Sequence, residues 1–311
     1  MDSRLLSMLW ARAEIDMRIG YPCVSRLIGR TTNHETILRA ATPEKLRVLT
    51  RQNLADLREI LRHNLAHGWL LFRIGSSVIP FASHPVNTLD WRNEFRDDLD
   101  EIGAFARWND MRLSFHPGQY TVLNSPDPEI VRRAIEEIAC SAAFLDALGM
   151  DTASKIIIHL GGTYGDKPAA LSRFVETAAT LGDSLRCRLV IENDERSYAP
   201  ADALWVSERT GLPVVFDNLH YAANPGPGAL EDLLQRVFAT WKTEDGPPKV
   251  HFSSQAPGAR IGHHADYANP DEFRDWLARW SQFGDFDLML EAKAKDEALL
   301  ALSLEHPITA H

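Results

Sequence analysis

Six short apolar runs in this chain each deliver a metal-type ligand at or just past their last residue: Ser114-Phe115-His116, Ile156-Ile157-Ile158-His159, Val190-Ile191-Glu192, Val214-Val215-Phe216-Asp217, Val250-His251 and Met289-Leu290-Glu291. The ligands follow in the order His, His, Glu, Asp, His and Glu at spacings of 25 to 43 residues. Converging parallel strands whose C-terminal ends surround one site produce this pattern. Two more apolar runs upstream, residues 17–21 and 69–74, bring the candidate strands to eight, the number that closes a parallel barrel.

Helical periodicity fills the intervals. Residues 43–66 place Leu46, Leu49, Leu54, Leu57, Ile60 and Leu61 on one stripe, with Thr42 as N-cap and Pro43 at the first helical position. The same reading predicts helices over 91–108, 128–148, 168–185, 201–210, 229–241, 270–283 and 295–304. Strand then helix, repeated eight times, predicts an α/β fold consisting of a single (β/α)8 TIM barrel over residues 1–311. The chain has 311 residues, 45% of them hydrophobic and 24% charged, which suits one large domain with a substantial core. No strong repeat, low-complexity tract or long Gly/Ser linker marks a second domain. The longest βα connection, residues 22–42, carries Arg26, Arg30 and Arg39 and reads either as a functional loop at the mouth or as a solubilising surface loop.

Cys23, Cys140 and Cys187 are odd in number and form no CxxC pair, which argues against a disulfide framework or a cysteine zinc site. Arg12, Glu14 and Asp16 interrupt the N-terminus before a signal-like stretch develops, and no run is long enough to span a bilayer. A cytoplasmic protein with no membrane partner is therefore expected. The formal net charge of -10 argues against a polyanionic partner, but bound divalent cations would reverse the local sign at the site.

Buried polar side chains need partners, so several aligned ligands are hard to place as core residues, whereas a shared metal cluster satisfies them together. His220, three residues after Asp217, and His264, after the seventh strand, extend the set, and His84 after the second strand is a weaker addition. Imidazoles mixed with carboxylates and no thiolate suit Mn, Zn, Fe or Co. The ligand number exceeds what one ion uses and implies about two or three ions per chain bridged by Glu192, Asp217 or Glu291. Phosphodiester hydrolysis is the reaction such a cluster fits best.

Lys249 lies two residues before His251 on the same strand face, expected to point toward the mouth. Beside cations it should be neutral or converted to an anionic carbamate; the alternative is a lysine that pairs with Glu192 or Glu291. After His116 the turn Pro117-Gly118 presents Gln119 and Tyr120, which could enter a base stack, or Tyr120 could pack under the loop. The Gly-rich segment from His159 to Gly165 could admit a phosphate, and Arg260 offers a cation to a phosphate backbone.

Taken together, Arg18-Ile19-Gly20-Tyr21-Pro22-Cys23, Ser114-Phe115-His116-Pro117-Gly118-Gln119-Tyr120, Ile158-His159-Leu160-Gly161-Gly162, Ile191-Glu192-Asn193-Asp194, Phe216-Asp217-Asn218-Leu219-His220, Lys249-Val250-His251-Phe252-Ser253-Ser254 and Leu290-Glu291-Ala292-Lys293 resemble the UV damage endonuclease family. The resemblance runs from about Arg18 to Leu302. It implies a TIM-barrel relative of endonuclease IV, with divalent metals, typically Mn2+, acting on UV-damaged double-stranded DNA. Such an enzyme nicks immediately 5′ of cyclobutane pyrimidine dimers and 6-4 photoproducts and leaves a 3′-hydroxyl. The implied metal ligands are His116, His159, Glu192, Asp217, His220, His251, His264 and Glu291, with His84 at or near the cluster. Glu192, Lys249 and Glu291 are the expected catalytic groups. Gln119 and Tyr120 would probe the DNA, and Tyr21 would line the lesion pocket. Ser25 stands where Asn is expected, which puts one lesion-pocket hydrogen bond in doubt. A monomer of bacterial type, working at the nucleoid, completes the expectation. The rival readings are a sugar isomerase or epimerase on the same kind of barrel, and a non-catalytic barrel whose metal only braces a binding surface.

Overall fold

A computed structural model describes residues 17–305; the charged N-terminal positions Arg12, Glu14 and Asp16 lie outside the described residues. The eight expected strands are all present: β1 Ile19–Pro22, β2 Leu71–Ile74, β3 Arg112–Phe115, β4 Ile156–His159, β5 Leu189–Glu192, β6 Val214–Asp217, β7 Lys249–Phe252 and β8 Asp287–Leu290. Every neighbouring pair is parallel, and β1 joins both β8 and β2, so the sheet closes in chain order. At the β1–β2 seam the backbones approach so closely that a Cβ on Gly20 would lie 1.6 Å from the Leu71 carbonyl oxygen; only glycine fits.

The major helices alternate with the strands: α1 Pro43–Ala66, α2 Arg96–Trp108, α3 Pro128–Ala147, α4 Lys167–Thr180, α5 Pro200–Thr210, α6 Leu230–Ala239, α7 Pro270–Trp280 and α8 Asp296–Glu305. Four begin with a side-chain cap followed by proline at the first turn. Thr42, Asp127, Asp166 and Asn269 each accept a hydrogen bond from a backbone N–H of that turn, which explains why these starts are sharp. Two expected helices are broken. The 91–108 segment divides at Phe95, and the 168–185 segment stops at Thr180 before a short turn of helix, Asp183–Arg186.

Strand alternation sorts the side chains into two environments. Ile156, Ile158, Leu189, Ile191, Val214, Phe216, Val250, Phe252, Leu288 and Leu290 face the helices and belong to the main core. Ile157, Val190 and Val215 form, with Trp241, a small apolar cluster of their own. They share their strand face with His159, Glu192 and Asp217, which the alternation carries to the C-terminal mouth. Among the described residues no helix is long and apolar enough to cross a membrane, and all three cysteines are free.

Candidate metal centre

Glu192, fully buried at the end of β5, is the hub of the mouth. Its Oε2 lies 2.9 Å from His116 Nε2 and 3.8 Å from His159 Nε2. Its Oε1 lies 2.6 Å from His251 Nδ1 and 3.7 Å from His220 Nδ1. Three sets of ligand atoms are each close enough to share an ion: His116, His159 and Glu192; Glu192, His251 and Glu291; Glu192, Asp217 and His220. Glu192 belongs to all three, so ions held by these sets would be bridged through its carboxylate. His264 approaches from the loop after β7, with Nδ1 4.0 Å from Glu291 Oε2.

The site carries unmet demand. Asp217 Oδ2 and His159 Nδ1 are buried without a hydrogen-bond partner, a costly arrangement for polar atoms. Burial keeps the His159 imidazole neutral, with its pKa pushed down to about 4. Burial alone would raise Glu192, but its electrostatic attraction to the adjacent His251 and hydrogen bonds from His116 and His251 hold it well below the ordinary carboxylate range. For Glu291, too, burial is outweighed, by Arg73 and His251, and its pKa falls. Burial raises the Asp217 pKa, opposed by His220 and reinforced by Glu192 and Glu291. Burial would lower His220, yet the charges of Asp217, Glu192 and Glu291 carry it up to about 9. Carboxylates that compel a buried imidazole to hold a proton are a donor set suited to a divalent cation.

Local structure fixes these groups. Asp217 caps the short helix Asn218–Ala223 by accepting from the His220 N–H at 2.7 Å, which sets His220 beside it. Asn193 accepts from the Asp217 N–H at 3.0 Å, and its own carbonyl lies 2.9 Å from His220 Nδ1. Arg73, inside β2, reaches Glu291 Oε1 at 2.5 Å and His251 Nε2 at 2.9 Å. An arginine only donates, so Nε2 is the acceptor side of His251 and its Nδ1 faces Glu192. The sequence reading passed over Arg73 and Asn193. A charge within the apolar run Leu70-Leu71-Phe72-Arg73-Ile74 was the available signal.

Other expected site residues fall elsewhere. Tyr21 is 0% exposed because alternation turns it outward from the barrel, where its ring packs on Trp69 and Phe72 and its hydroxyl donates to Asn64 Oδ1 at 2.7 Å. Ser25, also 0% exposed, is hydrogen-bonded to Asp296 and ties the first loop to α8. Neither lines an open lesion pocket. His84 stands apart from the three ligand sets; its Nδ1 accepts from the Val86 N–H, and it lines a groove of about 840 Å³ with Gln119, Tyr120 and Tyr164. Tyr120 is 84% exposed beside exposed Gln119, so it does not pack under its loop. Arg260 is exposed at the tip of the loop after β7.

Lys249 is buried, but one layer deeper than expected. It is in register with Asp287, whereas His251 is in register with Met289. Burial and the nearby Arg112 push its pKa well down, with Asp287 opposing and Arg73 and Lys155 adding. Its Nζ has no partner, so it pairs with neither Glu192 nor Glu291.

The family model of the UV-endonuclease UvdE matches residues 15–309. The UV DNA damage endonuclease of Clostridium perfringens is 40% identical over 90% of this chain and 68% of its own length. That of Bacillus velezensis is 40% identical over 85% of this chain and 83% of its own. The crystal structure of SacUVDE superposes with a TM-score of 0.88 at 38% identity, covering 93% of this chain and 97% of that one. A xylose isomerase domain protein from Planctomyces limnophilus, with a TM-score of 0.55 at 15% identity, shares the fold alone. A ligand ring at the mouth of a closed barrel is common to many enzymes, but a match from one end of the described chain to the other, in sequence and in fold, places this chain in the UV-endonuclease UvdE family.

Proposed function

We propose that this protein is a DNA repair endonuclease that cuts the phosphodiester immediately 5′ of UV photoproducts in duplex DNA and leaves a 3′-hydroxyl. The observation that carries the reading is Glu192 shared among three ligand sets at an open mouth, beside an exposed Gln119-Tyr120 pair. His116, His159, Glu192, Asp217, His220, His251 and Glu291 would hold about two or three divalent ions, Mn2+ by preference, with His264 completing the side nearest Glu291. Such ions activate water and neutralise charge on the phosphodiester being cleaved.

The chain's own residues supply the rest. Arg73 holds the ring of His251 and the carboxylate of Glu291 in position. Tyr120 and Gln119 enter the stack where damaged bases leave it; a photodimer is already poorly stacked, so its extrusion costs less than the few kcal/mol of a normal nucleotide. Lys249, an unpartnered amine beside Arg112, Lys155 and Arg73, is a candidate for conversion to a carbamate, whose negative charge those cations would favour. The enzyme works as a monomer in the cytoplasm, at the nucleoid.

The test is incubation with manganese and UV-irradiated supercoiled plasmid beside unirradiated plasmid. Nicking confined to the irradiated DNA and abolished by a chelator is expected, and mapping on a duplex with one dimer should place the cut on its 5′ side. Equal nicking of both plasmids, or none, would refute the reading.

A further inference from the structure

Past β7 the chain runs out to an exposed tip, Arg260-Ile261, and returns to His264. Ile261 is 68% exposed, and Arg260 makes no ion pair among the described residues. The tip is nevertheless stiff. Gln255 Nε2 donates to the carbonyls of Ala256 at 3.1 Å and Arg260 at 3.0 Å, and its Oε1 accepts from the Gly262 N–H at 2.8 Å. Below it, the Ala256 N–H donates to the His263 carbonyl at 2.7 Å and the Ala265 N–H to the Ser254 carbonyl at 2.8 Å. The base is anchored to the metal centre, since His264 Nδ1 lies 2.6 Å from the Glu291 carbonyl oxygen.

Barrel topology gives the tip its position. In the closed strand order β7 is four strands from β3 in either direction. The loop carrying Ile261 therefore rises across the mouth from the loop carrying Gln119 and Tyr120, with the ligand ring between them.

We propose that Ile261 is a second insertion residue, entering damaged DNA from the side opposite Gln119-Tyr120; this rests on the endonuclease reading above. A photodimer is two adjacent linked bases, so its extrusion opens a gap longer than one aromatic ring fills. Branched apolar side chains such as isoleucine serve as wedges between partly unstacked base steps. A braced tip loses little freedom on entry, and the unpaired guanidinium of Arg260 is placed to meet a backbone phosphate as Ile261 enters.

The experiment uses the full-length chain loaded with manganese and a duplex with one thymine dimer, a 2-aminopurine next to it and a non-hydrolysable linkage at the 5′ side, so that no cutting occurs, compared with the undamaged duplex. Ile261→Ala and Ile261→Ser should reduce the preference for damaged DNA about ten-fold and abolish most of the 2-aminopurine fluorescence rise. Ile261→Leu should restore both, and all three variants should melt with the wild type because the side chain stands in water. If Ile261→Ala matches the wild type in preference and in fluorescence, the proposal is wrong while the endonuclease reading stands. A wild type that shows no preference for this damaged duplex and, in the plasmid assay with manganese, no nicking of irradiated DNA overturns both.

Discussion

The two ends of the barrel interior both bury charge, and they treat it in opposite ways. At the N-terminal end Arg112 donates to Asp287 Oδ2 at 2.7 Å, to the Pro247 carbonyl at 2.7 Å and to the Asp245 carbonyl at 2.8 Å. Lys155 beside it donates to Asp245 Oδ1 and the Cys187 carbonyl, each at 2.6 Å. Donors and acceptors there are matched. At the C-terminal end Glu192, Asp217 and Glu291 crowd together, Asp217 Oδ2 and His159 Nδ1 lack partners, and His220 holds a proton in compensation. Burial of charge is thus no mark of a site; an excess of ligand atoms over donors is.

Breaking each end should therefore have a different consequence. Glu192→Ala removes the atom pair common to all three ligand sets, and nicking of irradiated plasmid should fall by more than about a hundred-fold, since even groups that only support a ligand cost 10 to 100-fold. Circular dichroism of that variant should remain that of the folded barrel. Retained nicking would remove Glu192 from the bridging role. Arg112→Met removes the closest charge partner of buried Asp287, which keeps the Arg18 N–H at 3.0 Å and the more distant Arg18 guanidinium at 3.4 Å, and should cost about 1–3 kcal/mol in denaturant unfolding. The folded fraction of Arg112→Met should bind manganese as the wild type does. If it does not, the two ends are not separable as described.

The strand-end ligands were legible because they need only two facts, the end of an apolar run and the period of two. That same period turns Tyr21 outward once Gly20 and Pro22 are assigned to the barrel interior, yet a motif read as a unit hides it. The depth of Lys249 was not legible. Side-chain layers in a barrel depend on the stagger between strands, and only the register of Lys249 with Asp287 reveals it. His84 illustrates another limit: it lies on a loop whose path no periodicity governs, and it lines a groove with Tyr120, outside the three tight ligand sets.

Lys249 is the exception that sharpens the contrast, an unpartnered amine within the matched end. Replacement of a bare buried amine by methionine should leave the barrel as stable as before or slightly more so. If the amine is a carbamate that supports the centre above it, Lys249→Met should instead lower nicking about ten-fold. Carbon-13 bicarbonate should then give the wild type, and not the variant, a protein-bound carbamate signal. Unchanged nicking together with no such signal would return Lys249 to the packing of the interior.

The smallest effect is a pH dependence of opposite sign with and without metal. In the metal-free protein His220 is raised from 6.5 to about 9, so its contribution to stability is complete below about pH 6.5 and is lost as pH rises through about 9. Metal must displace that proton. Manganese affinity should therefore climb about ten-fold per pH unit on approaching pH 9 and level off above it. Calorimetry in buffers of different ionisation enthalpy should register about one proton released at pH 8 from this imidazole. His220→Asn should remove that proton from the balance, while Arg112→Met, whose change lies at the matched end, should leave it in place. Affinity that is flat between pH 7 and 9 would mean that the surplus acceptors at the mouth are not met by His220.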